Sequence, residues 1–204
     1  MELCIFGSGG HAKVIADTAL ELNLYERVYL YSKTNQINLS SLPKSCFFVN
    51  DDPSFTQQDN VQSIVAIGDS IIRSSIVKNY PEHNFCTLIH KRSVVSERAR
   101  IEEGAFIGPG AIINIDSCIH DHSIINSHAI VEHDCEVGKF SQLGPGAIIC
   151  GNVSLGSHVF LGSNSCVNPG ISICDNVIIG SGAVVTEDIL EEGTYVGLPA
   201  TKIT

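Results

Sequence analysis

The 204-residue chain has no tryptophan, one methionine and an aromatic content of only 6%. Its core must therefore be built from aliphatic side chains. Charged residues amount to 17%, and 12 lysines and arginines face 22 aspartates and glutamates, a formal net charge of −10. That lack of positive charge argues against nucleic acid or an anionic membrane as a partner, though local basic pockets for phosphate stay open. No apolar run approaches the ~20 residues of a membrane span. Eight cysteines lie at 4, 46, 86, 118, 135, 150, 166 and 174 without a C-x-x-C pair, and no secretory leader is expected. Several fall at repeat positions reserved for small residues, so they read as packed thiols in a reducing cytosol. A soluble cytoplasmic protein is expected.

What the chain does have is a period of six. Every sixth residue from Val95 to Val185 is aliphatic, sixteen positions in succession without a miss. Helices repeat near 3.6 and two-sided strands at 2, so neither explains it. Two positions before each aliphatic the side chain is often small, as at Ala105, Ala111, Ser117, Ala129, Cys135 and Ala147. Glycine often follows it, as at Gly108, Gly138, Gly144 and Gly162. This is the hexapeptide repeat of a β-helix. Three hexads make one triangular coil, so sixteen give about five coils, each touching only its neighbours. The aliphatics are expected to point inward and the small residues to fit crowded corners.

The first ninety residues follow another pattern. Glu2–Phe6 reads as a strand, Gly7-Ser8-Gly9-Gly10-His11 as a glycine turn, and Ala12–Leu22 as a helix. Strands are expected at Arg27–Tyr31, Ser63–Ile67 and Phe85–Ile89, and a helix at Ile71–Tyr80. Asn35–Asp59 is polar and turn-rich, with a short apolar run at Cys46–Val49. Alternating strands and helices define a small α/β domain with a parallel sheet. The predicted architecture is thus a Rossmann-like βαβ domain over residues 1–90, then a β-helix with a C-terminal tail over residues 91–204.

A strand, glycine turn and helix N-terminus together make an anion site. Gly7-x-Gly9-x-x-Ala12 fits the dinucleotide fingerprint, but the acid that should end the second strand is missing, its place held by Tyr31-Ser32-Lys33. A nucleotide or nucleotide-sugar site is favoured over NAD, with a purely structural turn as the alternative.

In the repeats, Asn126, His128, Glu132, His133 and Asp134 cluster within nine residues. Val131 takes an inward position, so Glu132 to Asp134 round a corner and can project outward. His133 is the candidate general base for acyl transfer, since a neutral imidazole near pH 7 suits that role. Asp134 or Glu132 could fix its tautomer. The competing reading is a solvent-facing corner histidine with no function. His128 and His133 also have the H-x4-H spacing of the γ-class carbonic anhydrases, which would imply zinc. However, the place of that family's third histidine holds Arg92, with His90 out of register, and His120 and His122 have no register in their favour. No metal is expected.

The stretches "GSGGHAKV", "AIGD" with Arg73 after it, "LIHKRSVVS", "NSHAIVEHDCEVGKFSQLGPGAIICGNVSLGSHVFLGSNSCVNPG" and "GTYVGLPATKI" resemble one family across nearly the whole chain. It is the PglD/NeuD type of sugar acetyltransferases, within the hexapeptide-repeat acyltransferases. The resemblance implies a left-handed parallel β-helix, acetyl-CoA as co-substrate and a homotrimer. It implies that His133 is the base, Asp134 its carboxylate partner, and Asn126 a residue near the sugar. Gly9, Gly10 and His11 with Gly68 and Asp69 match the family's nucleotide-sugar site. Gly151 falls where the family supplies an N–H to the acetyl region, with Gly180 and Gly182 farther along the coenzyme arm and Lys202 a candidate for a coenzyme A phosphate. Two departures stand out. A second family histidine is replaced by Gln142, which can donate a hydrogen bond but not shuttle protons. The family's acids after the second strand are replaced by Tyr31 and Ser32, which opens the site to nucleotides other than uridine. The expected function is N-acetylation of a nucleotide-linked 4-amino-4,6-dideoxy sugar for bacterial surface glycans. O-acetylation of a sialic-acid-like sugar and a non-catalytic nucleotide-binding scaffold are the alternatives.

Overall fold

The computed structural model describes residues 1–33, 42–50 and 60–203. Most of the polar stretch around Cys46–Val49 thus lies outside the described residues. The chain divides into two compact units, Met1–Lys91 and Arg92–Thr204. Among the described residues no helix is long and apolar enough to cross a membrane.

The first unit contains strands β1 (Glu2–Phe6), β2 (Arg27–Tyr31), β3 (Cys46–Val49), β4 (Val61–Val65) and β5 (Leu88–Ile89). Its helices are α1 (Gly10–Glu21) and α2 (Ser70–Asn79). The first four strands form one parallel sheet in the order β3-β2-β1-β4. Leu3, Cys4, Ile5, Val28, Leu30 and Ile64 are buried in it, which accounts for near-continuous apolar runs rather than alternation. The apolar run at Cys46–Val49 is an edge strand. Of the expected Phe85–Ile89 strand only Leu88–Ile89 is regular, while Phe85 makes an isolated bridge to Ser63.

The second unit is built from sixteen short strands between Val94 and Val185, one per hexad. Up to Cys166–Val167 each pairs in parallel with the strand eighteen residues on, as Cys118 with Glu136, Ile124 with Gln142 and Ile130 with Ile148. Three flat sheets result, one per face of a triangular prism. Ile107, Ile113, Ile119, Ile125, Val131, Val137, Leu143 and Ile149 are at most 1% exposed, so the aliphatic column fills the axis. After the last hexad, Gly193–Val196 extends one face and Thr201–Lys202 pairs antiparallel with it.

In the repeats two details differ from the sequence expectation. The small residues do not sit at the corners. Ala105, Ala111, Ala129, Ser123, Ser141 and Ala147 are fully buried beside the aliphatic column. The corner seats are the second and third residues after each aliphatic. At fourteen consecutive corners, from Gly104 to Gly182, the third residue has φ between 55° and 74°. Gly, Asn, Asp and His fill all of them except Phe140, matching the few residue types that tolerate this region. Phe140 is held by stacking between His122 and His158, at centroid distances of 5.2 and 5.3 Å. The cysteines also need correction, because only Cys135 occupies a small-residue position. All eight are free, and Cys150, Cys166 and Cys174 are only half-buried, Cys174 packing against the edge of the β-helix core.

The mid-column position Leu143 is 0% exposed. Leu143→Ala leaves a cavity that rigid flanking coils cannot close, and is expected to destabilise the protein by about 2–5 kcal/mol. Chemical denaturation, with the slope compared to wild type, measures it.

Candidate active site

The cluster read from the sequence lies on one edge of the prism. Val131 points inward at 0% exposure, Glu132 leaves the strand half-buried, and His133 and Asp134 form the exposed corner. Asp134 takes the left-handed corner seat at φ 59°. That geometry turns its carboxylate back onto the preceding side chain, with Oδ2 2.8 Å from His133 Nδ1. Nδ1–H donates to the carboxylate, leaving the Nε2 lone pair as the basic position. The hydrogen bond to Asp134 raises the His133 pKa above its ordinary value, and the charges of Asp134 and Glu132 act in the same direction.

Gly151 stands one coil beyond His133, at the same corner position. A Cβ there would lie 2.6 Å from His133 Cε1 and 2.7 Å from Nε2. The imidazole thus occupies the space that a side chain at 151 would fill. Among the described residues the Gly151 N–H donates to no protein acceptor, while its carbonyl accepts from Gly170. A donor beside Nε2 is what a developing oxyanion needs.

The other residues singled out in the β-helix do not join this edge within one chain. Asn126 follows a strand on the next face, and its Oδ1 accepts from Ser127 N at 2.8 Å. His128 fills a left-handed corner there, its ring over Gly110, so a corner role accounts for it. His128 and His133 therefore stand at successive corners, and the H-x4-H pair does not converge. Gln142 lies on another face, with Oε1 buried and without a protein partner among the described residues. Gly182 is a left-handed corner at φ 70°, a seat that Asn, Asp and His fill elsewhere in the repeats, whereas a Cβ on Gly180 would lie 2.7 Å from Val196 Cγ1, so a close approach accounts for Gly180. Lys202 pairs with Glu191 at 3.1 Å. It lines a cavity of about 310 Å³ with Thr186, Glu187, Asp188 and Tyr195, where the two carboxylates oppose a phosphate.

In the α/β unit, the strand order reverses between β1 and β4, and ligands of open parallel sheets bind at such a switch point. The Gly7–His11 turn leaves β1 there and Ile67-Gly68-Asp69 leaves β4. Gly7, at φ 136° with Ala66 O 2.8 Å from its would-be Cβ, is a structural glycine. Gly9 and Gly10 are different. Neither is left-handed and a Cβ on either meets nothing within 4 Å, so the fold itself does not demand glycine. Gly9 caps α1 without a side-chain acceptor, which leaves the helix N–H groups open to an anion. Asp69, by contrast, caps α2, accepting from Ile71 N and Ile72 N at 2.9 Å.

Arg73, quoted from the sequence without a role, proves to be central here. It is 1% exposed and donates to the carbonyls of Ile67 and Gly68 at 2.6 and 3.0 Å. Burial lowers its pKa to about 10, opposed by Asp69, so it stays charged at neutral pH. Burial, with help from Arg73, pulls His11 down to about 4, so His11 is neutral. A buried cation, partly countered by Asp69, thus lies near an uncapped helix N-terminus in this crevice. Tyr31, in the place of the nucleotide-binding acid, is 8% exposed and packs edge-on against Phe6 at 5.4 Å. It belongs to the core, and ribose recognition by an acid at this position is lost.

A prism of hexapeptide coils with a histidine–carboxylate edge defines a hexapeptide-repeat acyltransferase. The comparisons with known proteins narrow this. The PglD N-terminal domain family matches residues 2–80, and the hexapeptide repeat of succinyl-transferase matches residues 152–187. PerB from Caulobacter crescentus, solved in complex with CoA and GDP-perosamine, is 31% identical over 100% of this chain and 98% of that one, at a TM-score of 0.88. The acetyltransferase domain of PglB from Neisseria gonorrhoeae FA1090 is 28% identical over 99% of both chains, at a TM-score of 0.89. WeeI from Acinetobacter baumannii AYE, 21% identical with a TM-score of 0.87, shares the fold. The chain belongs to the PglD-type sugar acetyltransferases, with their left-handed parallel β-helix.

Proposed function

We propose that this protein transfers an acetyl group from acetyl-CoA to the amine of a nucleotide-linked 4-amino-4,6-dideoxy sugar, as a homotrimer. The observation that carries the reading is His133, hydrogen-bonded through Nδ1 to Asp134 and seated over the side-chain-free Gly151. Acetyl-CoA supplies an activated thioester whose coenzyme thiol is the leaving group. His133 Nε2 takes the proton from the attacking amine and returns it to the departing thiolate, so the amide forms without an acyl-enzyme. Asp134 stabilises the imidazolium between those two transfers. The Gly151 N–H donates to the carbonyl oxygen as it becomes an oxyanion. Cys135 is 1% exposed and cannot act as a competing nucleophile.

The α1 N-terminus with Gly9 and Gly10 fits the nucleotide's diphosphate, while buried Arg73 holds the carbonyls of Ile67 and Gly68 in the neighbouring loop. The relative solved with GDP-perosamine, together with the loss of an acid at Tyr31, favours a nucleotide other than uridine. Titrating UDP, TDP and GDP against the protein tests this. One nucleotide binding at least ~10-fold more tightly, about 1.4 kcal/mol, is the expected result. Equal weak binding of all three contradicts a nucleotide-sugar site.

The pH profile tests the base. Because the Asp134 hydrogen bond raises the His133 pKa, the rate falls on the acid side at a pH above the ordinary histidine value of about 6.5. Asp134→Asn removes the carboxylate that favours the imidazolium. The acid limb then moves to lower pH, while the plateau drops by less than the ~10²–10⁴ that general-base catalysis contributes. A limb that does not move places the titration on another group.

A further inference from the structure

We propose that Glu102, Cys118 and His120 form a binding site for a zinc-class divalent transition metal, on the face of the β-helix that carries Arg100–Ile101, Cys118–Ile119 and Glu136–Val137. The three residues come from two successive coils. Glu102 and His120 are eighteen residues apart, and so occupy the same position in consecutive coils. Cys118 lies two residues before His120, on the outward side of the strand that pairs with Arg100–Ile101. Their ligand-type atoms all fall within 4.8 Å of one another. His120 Nδ1 is 3.0 Å from Glu102 Oε2 and 3.8 Å from Cys118 Sγ. Zinc bonds of about 2.0–2.3 Å put tetrahedral ligands ~3.3–3.7 Å apart, a spacing that the two distances from His120 bracket and that modest side-chain rotation extends to the whole set.

The donor chemistry points to this class of ion. One thiolate, one imidazole and one carboxylate suit zinc, cobalt or nickel, whereas calcium and magnesium prefer oxygen alone. The site is sheltered yet reachable, with Glu102 and His120 about a quarter exposed and Cys118 at 8%. Beyond the imidazole, Glu136 Oε1 lies 3.7 Å from His120 Nε2, where an outer carboxylate orients a metal-bound histidine. Three protein ligands leave a fourth position for water.

A cation already competes for the cluster. Arg100 donates from Nε and Nη2 to Cys118 Sγ at 3.2 and 3.1 Å and lies 3.5 Å from Glu102. Its side chain is 66% exposed and can swing into solvent when the ion binds. The guanidinium thus marks a place that favours positive charge, and it weakens metal binding by competing for the same sulfur and carboxylate. On binding, Cys118 gives up its thiol proton and His120 presents the unprotonated Nδ1.

Cobalt(II) titrated into the metal-stripped full-length protein is the test, read by the thiolate-to-cobalt charge-transfer band and then by its bleaching with zinc. The expected result is a band saturating at one ion per chain, absent in Cys118→Ser and at least ~10-fold weaker in affinity in His120→Ala. Arg100→Ala is expected to tighten binding several-fold, an effect that loss of structure cannot produce. No sulfur band, a band that survives Cys118→Ser, or weaker binding in Arg100→Ala overturns the proposal. Because His133 and the nucleotide crevice play no part, this outcome is independent of the acetyltransferase reading.

Discussion

His133→Ala is expected to lower kcat by ~10²–10⁴-fold, the contribution of a positioned general base. The side chain is 56% exposed and its one charged partner, Asp134, is 57% exposed. Removing an exposed imidazole leaves no cavity in the column, so folding is expected to be unchanged. Binding should also hold, because acetyl-CoA and nucleotide contacts lie elsewhere in the account. The signature is therefore a fall in kcat with nearly constant KM values for both substrates, the pattern of an interaction made in the transition state. Steady-state kinetics with both substrates varied would measure it. Unchanged kcat rules out His133 as the base, and a selective rise in KM makes it a binding residue instead.

The second large effect belongs to a residue with no side chain. In Gly151→Val, the new Cβ falls 2.6 Å from His133 Cε1 and 2.7 Å from Nε2, and the added methyls crowd the ring further. The exposed ring can rotate away, so the protein folds, but the 2.8 Å hydrogen bond to Asp134 is lost. Displacement of a catalytic group by about 1 Å costs on the order of 10²-fold in rate, and that is the loss expected in kcat. A double-mutant cycle separates this from a role in holding the acetyl group. If Gly151 acts by seating His133, then Gly151→Val added to His133→Ala costs little more. If it acts only by binding the thioester, the two losses add.

The architecture was legible because one column of aliphatics must run without interruption for coils to stack. Val131, Val137 and Leu143 could be placed facing the axis from spacing alone, and all three are 0% exposed. The corners were harder to read. Asn, Asp, His and Gly share the left-handed seat, so its occupants look unrelated along the chain although their backbone is the same. That is why His128 entered the candidate cluster. It stands in a corner seat like His122, Asp134 and Asn152. Asp134 holds such a seat and also bonds His133, a double role that spacing cannot separate. Gly151 was read as a backbone donor, while its steric relation to the His133 ring depends on contact across coils. The Gly9–Gly10 turn was recognisable from its motif. Yet only the open space above both glycines distinguishes them from Gly7, whose positive φ and contact with Ala66 require glycine for the fold. Arg73 gave no signal by type, since arginine usually lies exposed. Its burial beneath the Ile67–Asp69 loop comes from a helix that follows a parallel strand at the switch point. The cysteines were misread because thiols were assumed to take small inward seats, whereas Cys118, Cys150, Cys166 and Cys174 stand one residue from an inward aliphatic.

The most direct measurement is coenzyme A thiol release from acetyl-CoA, with UDP-, TDP- and GDP-linked 4-amino-4,6-dideoxy sugars offered as acceptors to wild type and His133→Ala. The account predicts turnover with one nucleotide's amino sugar by wild type and its loss in the variant. Turnover only with a hydroxyl acceptor, or with none although acetyl-CoA binds, contradicts amine acetylation by this site.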